Sequence, residues 1–349
     1  MTDAEWVAAL LKWFDRNRRA LPWREDKDPY KVWVSEIMLQ QTKVEAVKPY
    51  FESWLERFPT MAVLAEASED EVLHQWQGLG YYSRVKHLHN AVKKVVADYG
   101  GKVPAMRKEI LALPGIGDYT AGAILSIAYG KSEVAVDGNV LRVFARLYAV
   151  EDNVLLSVTK KKITALVKNV LPMDRPGDFN EALMDFGAMI CIPRQPRCSS
   201  CPMQAVCKAY HTETVNLLPV RTKRGPVPVD EIFVAVVEKS GRFLLHRRPN
   251  KGILSSMWEF PNLIIKDDLA GQAGIVAILA QQGVRFAPDE KKLGEITHVF
   301  SHRKWHMTIY SGHIMGVTNC CDSAWQWFDR AEWLLIPWAG PHGRITVMV

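Results

Sequence analysis

The chain has 349 residues, 48% of them hydrophobic and 23% charged, and carries a formal net charge of +6. That length accommodates two domains with separate cores, and the composition is that of a globular protein rather than a disordered one. No run of ~18 apolar residues is present to span a bilayer, and the positive balance permits a polyanionic partner without requiring one.

The opening MTDAEWVAALLKWFDRNRR reads as an amphipathic helix with acidic residues early and basic ones late, as the helix dipole favours. It lacks a cationic lead into an apolar core and a small-residue cleavage site, so it is not read as a secretion signal, and a cytoplasmic, nucleoid-associated protein is expected. Apolar residues recur at helical spacing over 5–16, 30–41, 84–98, 120–129 and 137–149, so residues 1–211 are expected to be mostly helical.

Glu36 lies in the second of these segments. Its neighbours three and four residues away are Val32, Trp33, Leu39 and Gln40, so its carboxyl sits on a largely apolar stripe. Desolvation there raises a carboxyl pKa, which suits a general acid; the plainer reading is a glutamate at the stripe's edge reaching water. In LPGIGDYTAGAIL (113–125), Gly115 and Gly117 make a tight turn before a helix, and its backbone N–H groups can grip a phosphate oxygen. Asp137 opens the segment DGNVLRVFARL, where an aspartate caps a helix well and needs no other task, although one oxygen can still face a pocket.

Cys191, Cys198, Cys201 and Cys207 form the run C-x6-C-x2-C-x5-C, and the other two cysteines, Cys320 and Cys321, lie far away. Four thiolates suit a tetrathiolate zinc site or a [4Fe–4S] cluster by ligand count. Three of the four fall in one short loop rather than in two separated knuckles, which favours the cluster over zinc and leaves disulfides last.

Residues 212–229 are polar, basic and proline-bearing, and read as a linker. Beyond them the pattern changes to a smaller α+β domain over 230–349. EIFVAVVEKSGRFLLHRR reads as a β-hairpin around Lys-Ser-Gly, followed by a helix near 268–282 and strands near 293–300 and 303–314. His298, His302 and His306 recur every four residues, a spacing that does not converge on a metal in a strand–turn–strand segment.

The segments LPWR (21–24), VWVSEIMLQQT (32–42), GLGYYSR (78–84), LPGIGDYTAGAI (113–124), VDGNVLRV (136–143), FNEALMDFGAMIC (179–191) and the cysteine run occur in one order over most of residues 1–210. Together they resemble the helix–hairpin–helix DNA glycosylases of the endonuclease III superfamily, and within it the MutY-type adenine DNA glycosylases. The resemblance implies a helical glycosylase domain with a [4Fe–4S] loop at 191–207, acting as a monomer on double-stranded DNA that carries adenine opposite 8-oxoguanine or guanine. Glu36 looks like the acid that protonates adenine N7, and Asp137 like the carboxylate that stabilises the sugar cation, with Tyr119 and Asn139 as companions. Trp23, Arg24 and Glu181 match residues lining the extruded adenine, while Gln41 and Tyr82 match those probing the gap and the opposite base. Related lyases carry a lysine where this chain has Tyr119, so a glycosylase without efficient strand cleavage is implied; Lys131 falls outside the motif. Arg194, Arg197 and Lys208 beside the cysteines supply charge for a phosphate backbone.

Residues 230–349 resemble the family's Nudix-like C-terminal domain more loosely, through GILSSMWEFP (252–261) and HVFSHRKWHM (298–307). Nudix hydrolysis needs a glutamate-rich helix for a divalent metal, and DDLAGQAGIVAILAQQG contains no glutamate. The implied use is recognition of 8-oxoguanine, with Phe300, Ser301 and His302 as the reading loop; the plainer reading is a turn whose Phe packs inward and whose Ser and His are solvated. Two rival functions remain, a glycosylase/lyase for damaged pyrimidines and a non-catalytic, cluster-bearing DNA-binding protein.

Overall fold

The computed structural model describes residues 2–222, 225–265, 270–318 and 323–349, so Cys320 and Cys321 lie outside the described residues. The chain divides into two compact units: Met1–Glu66 with His87–Arg224, and Ala67–Lys86 with Gly225–Val349. Among the described residues, no helix is long and apolar enough to cross a membrane.

The first unit is built from helices, and its core explains where the functional side chains end up. Helix Asp3–Asn17 starts on a capping box, in which Thr2 and Glu5 satisfy each other's backbone N–H groups. It buries Trp6, Leu10 and Phe14 against Val140 and Phe144 of helix Gly138–Leu147 and against Phe179, Leu183 and Phe186 of helix Pro176–Met189. Each such aromatic or leucine side chain contributes roughly 1.5–3 kcal/mol of burial. This packing fixes the N-terminus of Gly138–Leu147, where Asp137 sits, relative to the exposed face of Pro176–Met189.

The segment expected to be one helix over 120–129 is instead an α-helix, Asp118–Ala123, running into a π-helical turn, Ile124–Ala128. The buried Asn180 side chain supports the irregular turn, donating to Ser126 Oγ at 2.8 Å and accepting the Ala135 N–H at 3.0 Å. Gly122 permits the close approach of the next segment, because a Cβ there would stand 1.9 Å from the Val134 carbonyl oxygen.

Three expectations are corrected. Residues 212–222 are not a free linker: Arg146 Nε donates to the Val215 and Leu218 carbonyls, both at 3.0 Å, and the Val154 N–H to the Val220 carbonyl at 3.1 Å. Residues 67–86, read as part of the helical domain, belong by their contacts to the second unit. The hairpin around Lys-Ser-Gly is short, with only Glu238–Lys239 pairing Arg242–Arg247 across left-handed Ser240 and Gly241. The run before it, Val229–Ala235, belongs to a different sheet.

That sheet has the order Asn262–Ile265, Val229–Ala235, Lys304–Tyr310, Gly294–Val299; its Val229–Ala235 and Lys304–Tyr310 strands are parallel and the other neighbours antiparallel. A second sheet joins Trp325–Phe328, Arg242–Arg247 and Glu238–Lys239, with Trp258–Glu259 also on Arg242–Arg247. Val284–Pro288 pairs Gly312–Val317. Helix Ala270–Gln281 lies where the sequence predicts it; residues 266–269, including the first positions of the expected helix, are outside the described residues. Trp258, Phe260, Trp305, Phe328, Trp333 and Trp338 fill one core of this unit, and Phe233, Leu244, Ile275 and Phe286 a second.

Candidate active site

Glu36 reaches its position because helix Pro29–Leu39 is nearly buried, with Val32, Trp33, Val34, Ile37 and Met38 packed around it. Its carboxyl is 5% exposed and opens onto a cleft of about 1170 Å³. Asp137, Tyr119, Asn139, Trp23, Arg24, Gln41 and Glu181 line the same cleft. The two carboxyls on which the enzymatic reading depends therefore face a common space.

Their environments differ. Burial pushes the Glu36 carboxyl up to about 7, reinforced by the negative charges of Glu181 and Asp137 and partly offset by the Tyr119 hydroxyl, which donates to Glu36 Oε2 at 2.5 Å. Burial raises Tyr119 well above the ordinary range of a phenol, so it stays a donor. Asp137 is also raised by burial, but its carboxylate accepts the backbone N–H groups of Asn139 at 2.9 Å and Val140 at 2.8 Å, and Asn139 Nδ2 at 2.8 Å. Those donors favour the ionised form of Asp137, whereas among the described residues the hydrogen-bond donor that meets Glu36 is the Tyr119 phenol.

Asp137 is thus a helix N-cap, as its sequence position suggests, and it lines the cleft as well. Arg142, one turn into that helix and buried, holds Asn139 from behind: its Nη2 donates to Asn139 Oδ1 and the Gly187 carbonyl, and its Nε to the Cys191 carbonyl, each at 2.8 Å. Sequence reading passed over Arg142, whose place in an apolar helical stripe was the available signal.

Arg24 is locked by carboxylates, at 2.6 Å from Glu181 and 2.7 Å from Asp185. Asp185 also accepts from Arg19 at 2.6 Å. Sequence reading missed Asp185, although it lies four residues after Glu181, on the same helix face. The pairing positions Arg24 and Glu181 as a cleft wall beside Trp23, which is itself held edge-on to Phe51 at 5.5 Å. Gln41 leaves the Glu36 helix in a left-handed conformation, with φ 60°. The helical lysines Lys160, Lys161 and Lys168, none of them singled out from sequence, share one face and line the cleft with Arg107 and Arg221.

At the hairpin, Gly115 has φ +76° and a Cβ there would stand 2.5 Å from His87 Cβ, so only glycine fits. Gly117 caps helix Asp118–Ala123 with extended backbone.

Tyr82 and the Phe300–His302 turn lie in the second unit and line one cavity of about 1220 Å³. The Phe300 N–H donates to the Arg303 carbonyl at 2.8 Å, closing a tight turn, while its ring packs on Trp305 at 4.9 Å. Ser301 and His302 are exposed beside it.

The four cysteines line a small cavity of about 30 Å³, with Arg146, Phe186, Ile190 and Met203 as apolar and cationic surroundings. Arg146 Nη1 donates to Cys191 Sγ at 3.4 Å and to the Ile192 carbonyl at 2.8 Å. Burial, and after it the charge of the other three cysteines, push the Cys201 thiol up to about 12; burial also raises Cys198, with Cys191 adding to it, and Cys207, with Cys191 and Cys198 adding to it. Each of these three thiols is harder to ionise because its neighbours would be thiolates across the same small volume, and a cationic group among them would favour the thiolate form. Among the described residues, no three His, Cys, Asp or Glu side chains close on a single metal ion. The thiols surround the cavity instead.

Residues 34–173 match the family model described as HhH-GPD superfamily base excision DNA repair protein, and residues 232–346 match the NUDIX domain. The chain is similar to the adenine DNA glycosylase of Rattus norvegicus, 36% identical over 93% of this chain and 73% of that protein. It is also similar to the adenine DNA glycosylase of Buchnera aphidicola subsp. Baizongia pistaciae, 32% identical over 91% of this chain and 88% of that one. Among solved structures, a thermostable thymine-DNA glycosylase matches with TM-score 0.55 and 33% identity, covering 59% of this chain and 95% of its own. A buried acid paired with a helix-capping aspartate, in a chain alike along nearly its whole length to such enzymes, places this protein in the adenine DNA glycosylase family of base-excision repair enzymes.

Proposed function

We infer that the enzyme removes adenine from adenine:8-oxoguanine and adenine:guanine pairs without efficient strand cleavage. The observation that carries this reading is the pair of unlike carboxyls on one cleft, Glu36 buried and raised to about 7 and Asp137 held by three N–H donors. Adenine is a poor leaving group and must leave the stack before it can react. Glu36 gives its proton to N7 of the extruded base, with Tyr119 keeping the carboxyl aimed. The N9–C1′ bond then breaks with its electron pair going to the neutral base, and the ionised Asp137 stabilises the oxocarbenium-like sugar. Water adds at C1′, its proton passing to the Glu36 carboxylate left by the first transfer, and an abasic site and free adenine result. Trp23 and the Arg24–Glu181 pair form the wall against which the base rests, and Gln41 meets the gap it leaves.

Tyr119 occupies the hairpin position where a lyase would carry an amine, and a phenol cannot form a Schiff base. Incubating the protein with an adenine:8-oxoguanine duplex, then assaying abasic sites and strand breaks separately, tests both claims. Abasic sites without breaks are expected; breaks at the rate of base release would overturn the monofunctional reading. Phe300, Ser301 and His302 with Tyr82 serve the opposite base, and the hairpin at Gly115 and Gly117 grips the backbone phosphates.

Cys191, Cys198, Cys201 and Cys207 would hold a [4Fe–4S] cluster, a group whose four-thiolate ligand set is matched by four cysteines around one cavity. The four cysteines would bind such a cluster as thiolates, their charge offset in part by its positive core, and would thereby tie down the loop bearing Arg194, Arg197 and Lys208 for contact with phosphates. The purified protein is expected to be brown, with a broad band near ~400 nm and ~4 iron atoms per chain. A colourless protein with one zinc would refute this assignment.

A further inference from the structure

We propose that discrimination of the opposite base depends on a polar clasp, formed by Glu69, Asp70, Lys86, Arg247 and Ser256, which fastens the Tyr81–Tyr82 loop to strand Arg242–Arg247 and to the loop of residues 252–256, which shares a cavity with the Phe300–His302 turn. The proposal rests on the reading of that cavity as the opposite-base site and extends it to residues that do not touch the base.

Segment 67–86 lies, by sequence, inside the helical half of the chain, yet its contacts assign it to the second unit. Specific tethers account for this. Lys86 Nζ donates to Ser256 Oγ at 2.7 Å and pairs with Glu69 at 3.0 Å. Arg247 Nη2 pairs with Asp70, and its Nε donates to the Ser256 carbonyl at 3.2 Å. The Trp338 N–H donates to Gln77 Oε1 at 3.3 Å. Ser256 is 6% exposed with φ 63°, a left-handed conformation that a serine adopts only when its surroundings hold it there. Such a residue brings its hydroxyl and its carbonyl to two different cations of the clasp at once.

The fastened segment is internally bonded where it meets the cavity. Arg84 stacks its guanidinium against Trp76 at 5.4 Å and Tyr81 at 5.3 Å, and its Nη2 donates to the Leu79 and Gly80 carbonyls at 3.3 and 3.1 Å. The Gly78 N–H donates to the Tyr82 hydroxyl at 3.3 Å. These bonds tie the loop to the end of helix Glu69–Gln75, and the clasp sets where both stand against Gly252–Ser255, which lines one cavity with Phe300–His302. A reader made of two chain segments discriminates only while their spacing is fixed, because ångström-scale displacement of positioning groups costs large factors in rate. The clasp residues are positioning residues, and none of them lines the cleft of Glu36 and Asp137.

The test uses single-turnover base release by the full chain from adenine:8-oxoguanine and adenine:guanine duplexes, with iron content and thermal melting recorded for each variant. The double variant Asp70→Asn/Ser256→Ala should lower the preference for 8-oxoguanine about tenfold or more while the adenine:guanine rate constant holds. The charge-reversed pair Asp70→Arg/Arg247→Asp should recover more preference than either single change. Ser301→Ala is run beside them as a probe of the reading turn itself. If Ser301→Ala lowers the preference and the clasp variants do not, the clasp is refuted while the opposite-base reading stands. If neither moves the preference, the opposite-base reading fails and the clasp with it. An equal loss on both duplexes would make the clasp merely structural and also overturn the proposal.

Discussion

Glu36→Gln is expected to abolish adenine release while the mispaired duplex remains bound. The substitution keeps the volume and an oxygen for the Tyr119 hydroxyl, and it removes only the transferable proton. Loss of a general acid slows a reaction by roughly 10²–10⁴-fold, so single-turnover base release against a gel-shift measurement separates chemistry from binding. Retention of near wild-type release would remove Glu36 from the mechanism. The wild-type rate should fall as pH rises through about 7, where the buried Glu36 carboxyl loses its proton. Stability follows the same group with a definite sign. Its folded pKa of about 7 lies above the ordinary 4.5, so the folded state holds the proton longer, and stability present below 4.5 is lost as pH rises to about 7. The loss is on the order of 3 kcal/mol before relaxation of the site. Glu36→Gln should therefore melt higher than wild type at pH 8, an inactive but more stable protein, measurable by thermal melting across pH.

Asp137→Asn should cost about 10²–10³-fold in base release, since it deletes the negative charge that meets the developing sugar cation. Its structural effect is smaller and separable. Asparagine still offers one oxygen to the Asn139 and Val140 N–H groups, so the helix start survives within about 1 kcal/mol. The other side of the new amide would present N–H groups to Asn139 Nδ2, donor against donor. Asn139 cannot resolve this by flipping without surrendering its Oδ1 to Arg142 bond. Release kinetics and melting temperature together test the argument: a large rate loss with a small shift in melting is expected. Comparable activity of the asparagine variant would show that Asp137 acts as a cap alone.

Local sequence was sufficient wherever a single segment contains the whole cause. The helices holding Glu36 and Asp137 follow from apolar residues at helical spacing, and the N-cap at 137 follows from residue type. The left-handed turn at Gly115 and the four clustered thiols are equally local, because neighbours along the chain are neighbours in space. The amphipathic first helix carried its own start signal in the Thr2–Glu5 box. The motif order along residues 1–210 and the loss of helical periodicity after 230 were enough to separate a helical glycosylase domain from a smaller α+β one.

What the tertiary structure decided are interactions whose partners lie far apart in sequence. Asp185 became visible as the anchor of Arg24 and Arg19 only once residues 161 and 166 positions apart were brought together. The π turn at Ile124–Ala128 depends on Asn180, and the assignment of 67–86 to the second unit depends on Ser256, Arg247 and Trp338. The first sheet pairs Val229–Ala235 with Lys304–Tyr310 across more than half of the second unit, so the hairpin pattern near 240 described only the two strands adjacent in sequence. Above all, the unlike surroundings of Glu36 and Asp137 are a tertiary property. Burial raises both carboxyls, and only the fold turns three N–H donors toward Asp137 to oppose that rise.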